Sequence, residues 1–319
     1  MFKFFISFFI LFGFSVTLNG QSSVSGDSAI LIKANWKVGD SALYRFAQTS
    51  NTFVSGQPNS HLKKTSDIKV FIESESDSGY VIKLTFGAGS FESQDSLSKL
   101  EVFNRILKEK LSGLVLNYFV NKNGMLVRWL NLEQFKQAVL TSFDSLATDD
   151  FLKFNTEFEP LVMILKDAYQ SDKRIDDEFL SPVRWFHFFY GAKLRVNAMT
   201  TMDDEFHNPD FSVPIPAITE VETSYGDNTN GSMVISGNTI LNKEIYPNWW
   251  KSFKEEQMAI LPKQEAALVI EKAKNYDHKL SFNYRINLES GWVKQASQRE
   301  TVSNKDTKTS GMLEFTLLR

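Results

Sequence analysis

The chain has no cysteine in its 319 residues, which excludes disulfides and thiolate metal sites as supports of the fold. Histidine is nearly as scarce. The four, His61, His187, His207 and His278, are scattered so that no two lie within four residues of each other, and a transition-metal site would have to gather its ligands from distant segments. Long hydrophobic runs are missing too: the longest, Phe4 to Val16, has 13 residues, where a membrane-spanning helix needs about 20. Neither sign of charge is in large excess. A net charge of −3 argues against nucleic acid or an anionic membrane as partner.

Nucleotide and hydrolase signatures are absent as well. The stretch "GAGSFE" at Gly87 lacks a third glycine and follows a hairpin rather than a βα unit, so it reads as a turn. There is no G-x-S-x-G elbow and no calcium-loop pattern, and no cofactor is implied. A carboxylate pair for glycoside chemistry is set by spacing in space, and nothing in the order of residues singles one out.

What is present begins with an export signal. "MFKFFISFFILFGFSVTLNG" has one cation, Lys3, then the apolar run, then a small residue at Gly20, as expected of a segment removed on secretion. The expected mature chain starts near Gln21 and carries no cysteine to lipidate, so it is exported to the periplasm or outside the cell and is not a lipoprotein. With 299 residues left, it is long enough to bury a core without covalent staples. Residues 21–34 read as a disordered or extended lead-in.

Strand signals dominate both ends. "DIKVFIES" sets Ile68, Val70 and Ile72 on one face, and "YVIKLTF" does the same with Tyr80, Ile82, Leu84 and Phe86, which predicts a hairpin. "HKLSFNYRINLESG" alternates Leu280, Phe282, Tyr284, Ile286 and Leu288 with polar residues, the pattern of an antiparallel strand covered on one face. "WVKQASQRETV" and "GMLEFTLL" extend it into a three-strand meander. The middle is helical: "DSLSKLEVFNRILKEKLSG" is amphipathic, and a hairpin "LVLNYFV-NKNG-MLVRWL" precedes a helix carrying Leu132, Phe135, Val139, Phe143 and Leu146. Asn131 followed by Gln134 reads as a capping box for that helix, Pro160 suits a first helical turn, and Pro262 splits the last helical piece. Since strands and helices do not alternate, the prediction is an α+β fold: one antiparallel sheet with inserted helices on one face, a single domain over 35–319 with a mainly helical insertion at about 93–190.

Two constellations are candidates for a site. "PVRWFHFFYG" packs Trp185, Phe186, His187, Phe188, Phe189 and Tyr190 together. As a helix end it places Trp185, Phe188 and Phe189 on one face with His187 elsewhere; as a strand it places Trp185, His187 and Phe189 together. The competing readings are a core where helices meet the sheet and an aromatic-lined pocket for an apolar ligand. Trp249 and Trp250 pose the same choice between helix anchor and ligand surface. The weaker candidate is "MDDEFHNPD", whose Asp203, Asp204, His207 and Asp210 could hold a cation if they converged, or form a solvated loop.

The opening "NWKVGDSALYRF", the strand and turn "NYFVNKNGMLVRWLN", and the closing "YRINLESGWVKQASQRET" resemble exported proteins of Bacteroidota that carry no assigned activity. The resemblance implies an envelope or extracellular location. By architecture the layout is also analogous to the half-barrel carriers of the lipoprotein-localisation type, in which a sheet wraps helices and holds acyl chains, although this chain is longer and more helical. Together these readings favour a non-enzymatic extracytoplasmic binding or scaffolding module for an apolar small ligand or an envelope protein. The competing class is a hydrolase of envelope polymers.

Overall fold

A computed structural model describes residues 29–93, 98–206, 213–226, 231–274, 276–304 and 307–319. Of the cation candidates, His207 and Asp210 lie outside the described residues, as does the cleavage region.

The first part of the chain supplies β1 (Ala29–Leu31), β2 (Ser41–Val54), β3 (Gln57–Ser76) and β4 (Gly79–Ser93). Helix α1 (Ser98–Lys110) leads into the hairpin β5 (Val115–Asn121) and β6 (Leu126–Trp129). The helical layer continues with α2 (Leu132–Ala147), α3 (Asp150–Phe154), α4 (Glu159–Gln170) and α5 (Asp172–Ile175), a π-helical stretch at Asp176–Leu180, and α6 (Ser181–Phe186). Strands resume as β7 (Lys193–Arg195), β8 (Ala198–Phe206), β9 (Ile215–Tyr225) and β10 (Ser232–Leu241). A helical pair, α7 (Tyr246–Ile260) and α8 (Lys263–Lys274), precedes β11 (Asp277–Asn287), β12 (Val293–Ser303) and β13 (Thr307–Leu317).

Eleven strands form one open antiparallel sheet in the order β6-β5-β4-β3-β2-β13-β12-β11-β10-β9-β8. The C-terminal meander thus pairs through β13 with β2. The α+β expectation holds. Period-2 alternation selects the covered face: Ala42 and Tyr44 of β2, Ile68, Val70 and Ile72 of β3, and Tyr284 and Ile286 of β11 are all buried. Of the predicted α2 stripe, Phe135, Val139, Phe143 and Leu146 are fully enclosed and Leu132 is half-buried; full burial stabilises by about 1.5–3 kcal/mol per side chain. Pro160 sits in the first turn of α4, and Pro262 falls between α7 and α8. Within the described residues that precede β2, β1 pairs with β7, and Ile32, Ala34 and Trp36 enter the core.

Two local expectations are corrected. Asn131 makes no capping bond to α2. Its side chain instead accepts from the Asn117 backbone N–H at 2.7 Å and donates to the Val115 carbonyl at 3.0 Å, so it satisfies β5 backbone groups in preference to the helix end. "GAGSFE" is not a turn but lies within β4, with Gly89 opposite Ser66 beside a register shift. The reason for glycine is close approach: a Cβ on Gly87 would come 2.7 Å from the Asp67 carbonyl oxygen, and one on Gly89 would come 2.4 Å from that of Thr65.

Candidate functional site

The covered face of the sheet changes character along its strands. On β2 the inward residues run Ala42, Tyr44, Phe46, Gln48, and on β3 the residues opposite them run Val70, Ile68, Ser66, Lys64. Four successive rows therefore pass from apolar to polar. Over these rows, beneath α1, α6 and the π-helical stretch, lies a cavity of about 110 Å³. Its apolar wall includes Ile68, Val70, Leu84, Val183 and Phe186, and its polar side includes Gln48, Lys64, Lys108 and Glu178. The π-helical stretch brings the neighbours Glu178 and Phe179 to the same cavity; such bulges recur where a helix serves a site.

The polar side is a charge cluster. Glu178 takes Lys64 at 3.5 Å and Arg174 at 3.1 Å. Burial pushes the Glu178 carboxyl up, but Lys64 and Arg174 outweigh it and hold the group below its ordinary range. Lys108 donates to the Thr65 carbonyl at 3.0 Å and to that of Ser90. Burial, aided by the nearby Lys64 and opposed by Glu178, pulls its pKa down to about 8.

The apolar end holds two tyrosines in different states. Tyr118 donates to His187 Nε2 at 2.9 Å, while His187 Nδ1 reaches the Gly124 carbonyl at 2.8 Å. A carbonyl only accepts, so Nδ1 carries the proton, Nε2 is an acceptor, and the Tyr118 proton is committed to it. Burial lowers the His187 pKa to about 4, against a small opposing effect of the Gly124 bond, and the ring is neutral. Tyr44 is 0% exposed and its hydroxyl has no protein partner. Of the buried side-chain polar atoms without a partner among the described residues, it alone belongs to a residue lining this cavity. Burial, with the neighbouring Tyr190 and Tyr118, raises its pKa well above the ordinary tyrosine value. It is a neutral donor with nothing to donate to.

The aromatic stretch forms a helix end, as one of its two readings required. Trp185 packs on Tyr284 and Phe315 at 5.0 and 5.4 Å, Phe189 on Tyr284 at 4.7 Å, and His187 turns away toward Trp36 and Tyr118. Trp185 lines a smaller cavity of about 40 Å³ with Asp204, Thr219, Thr239 and Gln298. His187 and Phe189 line neither cavity. Trp249 stacks on Phe253 at 5.0 Å, with Trp250 at 5.8 Å from the same ring, so both hold α7 to a second core cluster. Asp203 and Asp204 alternate across β8: Asp203 is exposed, and Asp204 faces inward and accepts from Thr219 at 2.5 Å. Their carboxylates do not converge on one cation, and no group of three or more metal-ligating side chains occurs among the described residues.

Sequence reading missed Tyr44, Lys64, Lys108 and Glu178. A usable signal existed on β3: the Ile72, Val70, Ile68 alternation continues backward through Ser66 to Lys64, placing a cation on the covered face. His278 forms a second buried chain, to Tyr276 at 2.8 Å and Glu300 at 2.7 Å, stacked 3.7 Å from Phe206. It is 2% exposed and lines neither cavity.

No protein-family model and no curated protein matches the chain, so the resemblance to exported Bacteroidota proteins gains no sequence support. Among solved structures, one concerned with lipid–protein interactions in lipovitellin aligns at TM-score 0.44 and 10% identity over 89% of this chain. The chain spans only 25% of lipovitellin's length. The β domain of the Bordetella autotransporter BrkA aligns at 0.20 with 6% identity, over 87% of this chain and 99% of that one. An outer membrane channel from Pseudomonas putida F1 aligns at 0.18 with 7% identity, over 93% and 100%. At these scores the likenesses carry no argument about ligand or compartment. No helix among the described residues is long and apolar enough to cross a membrane.

Proposed function

We propose that this chain is a non-enzymatic extracytoplasmic binding module that takes an apolar small molecule into the space between β2, β3 and α6, with residues 1–20 as its removable export signal. The observation that carries the reading is the row-by-row change of the covered face, from Val70 and Ala42 to Lys64 and Gln48, beneath a cavity of about 110 Å³. A solid core has no use for lysines on its covered face; a binding site needs an apolar interior and a wet entrance. A cavity of about 150 Å³ lined by aliphatic and aromatic side chains admits a benzene ring, so this one suits a short alkyl segment or the end of one chain. The charged cluster of Lys64, Lys108 and Glu178 stands at the entrance, where a polar end of the ligand stays hydrated.

A scaffolding role would use the edge of the sheet at β8, the last strand in its order. That strand turns Asp203 and Glu205 outward, the kind of charge that discourages strand addition, and the cavity is the better-supported site.

The test is saturable binding of n-hexane, followed by chemical-shift changes at methyl groups of Ile68, Val70 and Val183. One site, blocked in Val183→Phe, is the expected result. Hexane that perturbs no residue of the cavity would refute the proposal.

A further inference from the structure

We infer that the molecule entering the cavity is a monocarboxylate with an alkyl tail, and that the ammonium groups of Lys64 and Lys108 hold its carboxylate at the polar side. The inference rests on the cavity being a binding site and adds the charge and chemical class of the ligand's outer end.

Three observations lead to it. The first is where the ammonium groups lie. Lys108, in the last turn of α1, crosses to the sheet and donates to the Thr65 and Ser90 carbonyls. Its Nζ lies 3.0 Å from where a Cβ on Gly89 would stand, so the bare backbone of a residue that lines the cavity makes room for it. Lys64 Nζ reaches from the covered face of β3 to Glu178 Oε1 in the π-helical roof, and its side chain keeps 28% of its surface exposed. The second is that both have donors to spare. A lysine carries three N–H groups; Lys108 gives two to carbonyls, and Lys64 meets only Glu178 among the described residues, at 3.5 Å. A good charge-assisted bond measures about 2.7–2.9 Å. Glu178 is closer to Arg174, at 3.1 Å and one helical turn away, so the acid that could neutralise Lys64 is already shared. The third is the balance of charge. Among the described residues lining the cavity, Lys64 and Lys108 face one acid, Glu178. The imbalance shows in Lys108, whose pKa burial and the Lys64 charge pull down to about 8 against the influence of Glu178. One further negative charge balances the two lysines, a dianion would overshoot, and a cationic end would be repelled. The tail belongs to the apolar wall, which begins at Ile68, four residues along β3 from Lys64, or about 13 Å at about 3.3 Å per residue.

The experiment titrates hexanoate, 1-hexanol and hexylammonium into the full-length mature protein at neutral pH and low salt, following the methyl groups of Ile68, Val70 and Val183 by NMR. The wild type is expected to hold hexanoate about fivefold to tenfold more tightly than 1-hexanol, between the effect of an exposed ion pair and that of a hydrogen bond to a charged group, and hexylammonium more weakly than either. Sodium chloride at about 0.5 M should remove most of the hexanoate advantage. Lys64→Gln, whose lost side chain holds no backbone group, should bring the ratio of the hexanoate and hexanol affinities toward one, as should Lys108→Gln, while Lys64→Arg keeps the charge and the preference. Lysines with a purely structural role would leave that ratio where it was. Equal affinities for hexanoate and 1-hexanol in the wild type, or a preference that survives both glutamine variants, would overturn the inference and leave the binding site standing. If neither these probes nor n-hexane shifts the cavity methyl groups, the binding-site reading falls and this one with it.

Discussion

His187 provides the sharpest test of how this core is built. Its ring is buried among Trp36, Tyr118, Phe186 and Tyr190, none of which offers a counter-charge, and burial lowers its pKa from 6.5 to about 4. In the unfolded chain the imidazole returns to its ordinary value. Between those two values the unfolded state binds a proton that the folded state refuses, so stability falls as pH falls. The contribution is fully present above pH 6.5, declines by about 1.4 kcal/mol per pH unit below it, and levels off below pH 4 at a loss of about 3 kcal/mol. The perturbation is His187→Gln, which does not titrate. At pH 7.5 it should cost about 1–3 kcal/mol, because one amide cannot hold both the Tyr118 hydroxyl and the Gly124 carbonyl at their present positions. The assay is urea unfolding of both proteins at pH 7.5, 6.5, 5.5 and 4.5. Carboxylates titrate alike in the two, so the difference isolates His187, and the wild-type advantage should shrink steadily and vanish or reverse by pH 4.5. Parallel pH profiles would refute the assignment of a buried neutral imidazole.

Three further outcomes follow from particular contacts. Trp185→Ala should cost about 3 kcal/mol, the lower end for a large buried aromatic, because the ring packs on Tyr284 and Phe315 but also faces a cavity of about 40 Å³; hexane affinity should persist, since Trp185 does not line the larger cavity. Asn131→Ala should lower the urea midpoint by about 1–3 kcal/mol in equivalent stability by stranding the Asn117 N–H and the Val115 carbonyl, and amide exchange at Asn117 should accelerate; unchanged exchange there would argue against the tie to β5. The intact mass of the exported protein should correspond to a chain beginning at or near Gln21, and a mass that retains Phe4 to Val16 would rule out signal removal.

The α+β class, the hairpins at both ends, the C-terminal meander and the buried stripe of α2 were legible in the residue order. Each is written by a local period: two residues for Leu280 to Leu288 on a strand with one covered face, three to four for Phe135 to Leu146 on an amphipathic helix. Pro160 and Pro262 marked helix boundaries for an equally local reason, since a missing N–H and a fixed φ act within one turn. Such signals survive without knowledge of any partner. The concentration of aromatics at Trp185 to Tyr190 was just as visible, but its meaning was not: whether His187 titrates, bonds or binds depends on Tyr118 and Gly124, more than sixty residues away. The same distance hid the job of Asn131, whose capping pattern is outcompeted by β5 backbone groups, and of Gly87 and Gly89, which are dictated by carbonyls on β3. Tyr44 is the extreme case. In sequence it is one more inward residue of an alternating strand; only the packing of α6 over β2 leaves its hydroxyl enclosed with no partner, because hydrogen-bond satisfaction is a property of everything within about 3 Å of an atom and of nothing else in the chain.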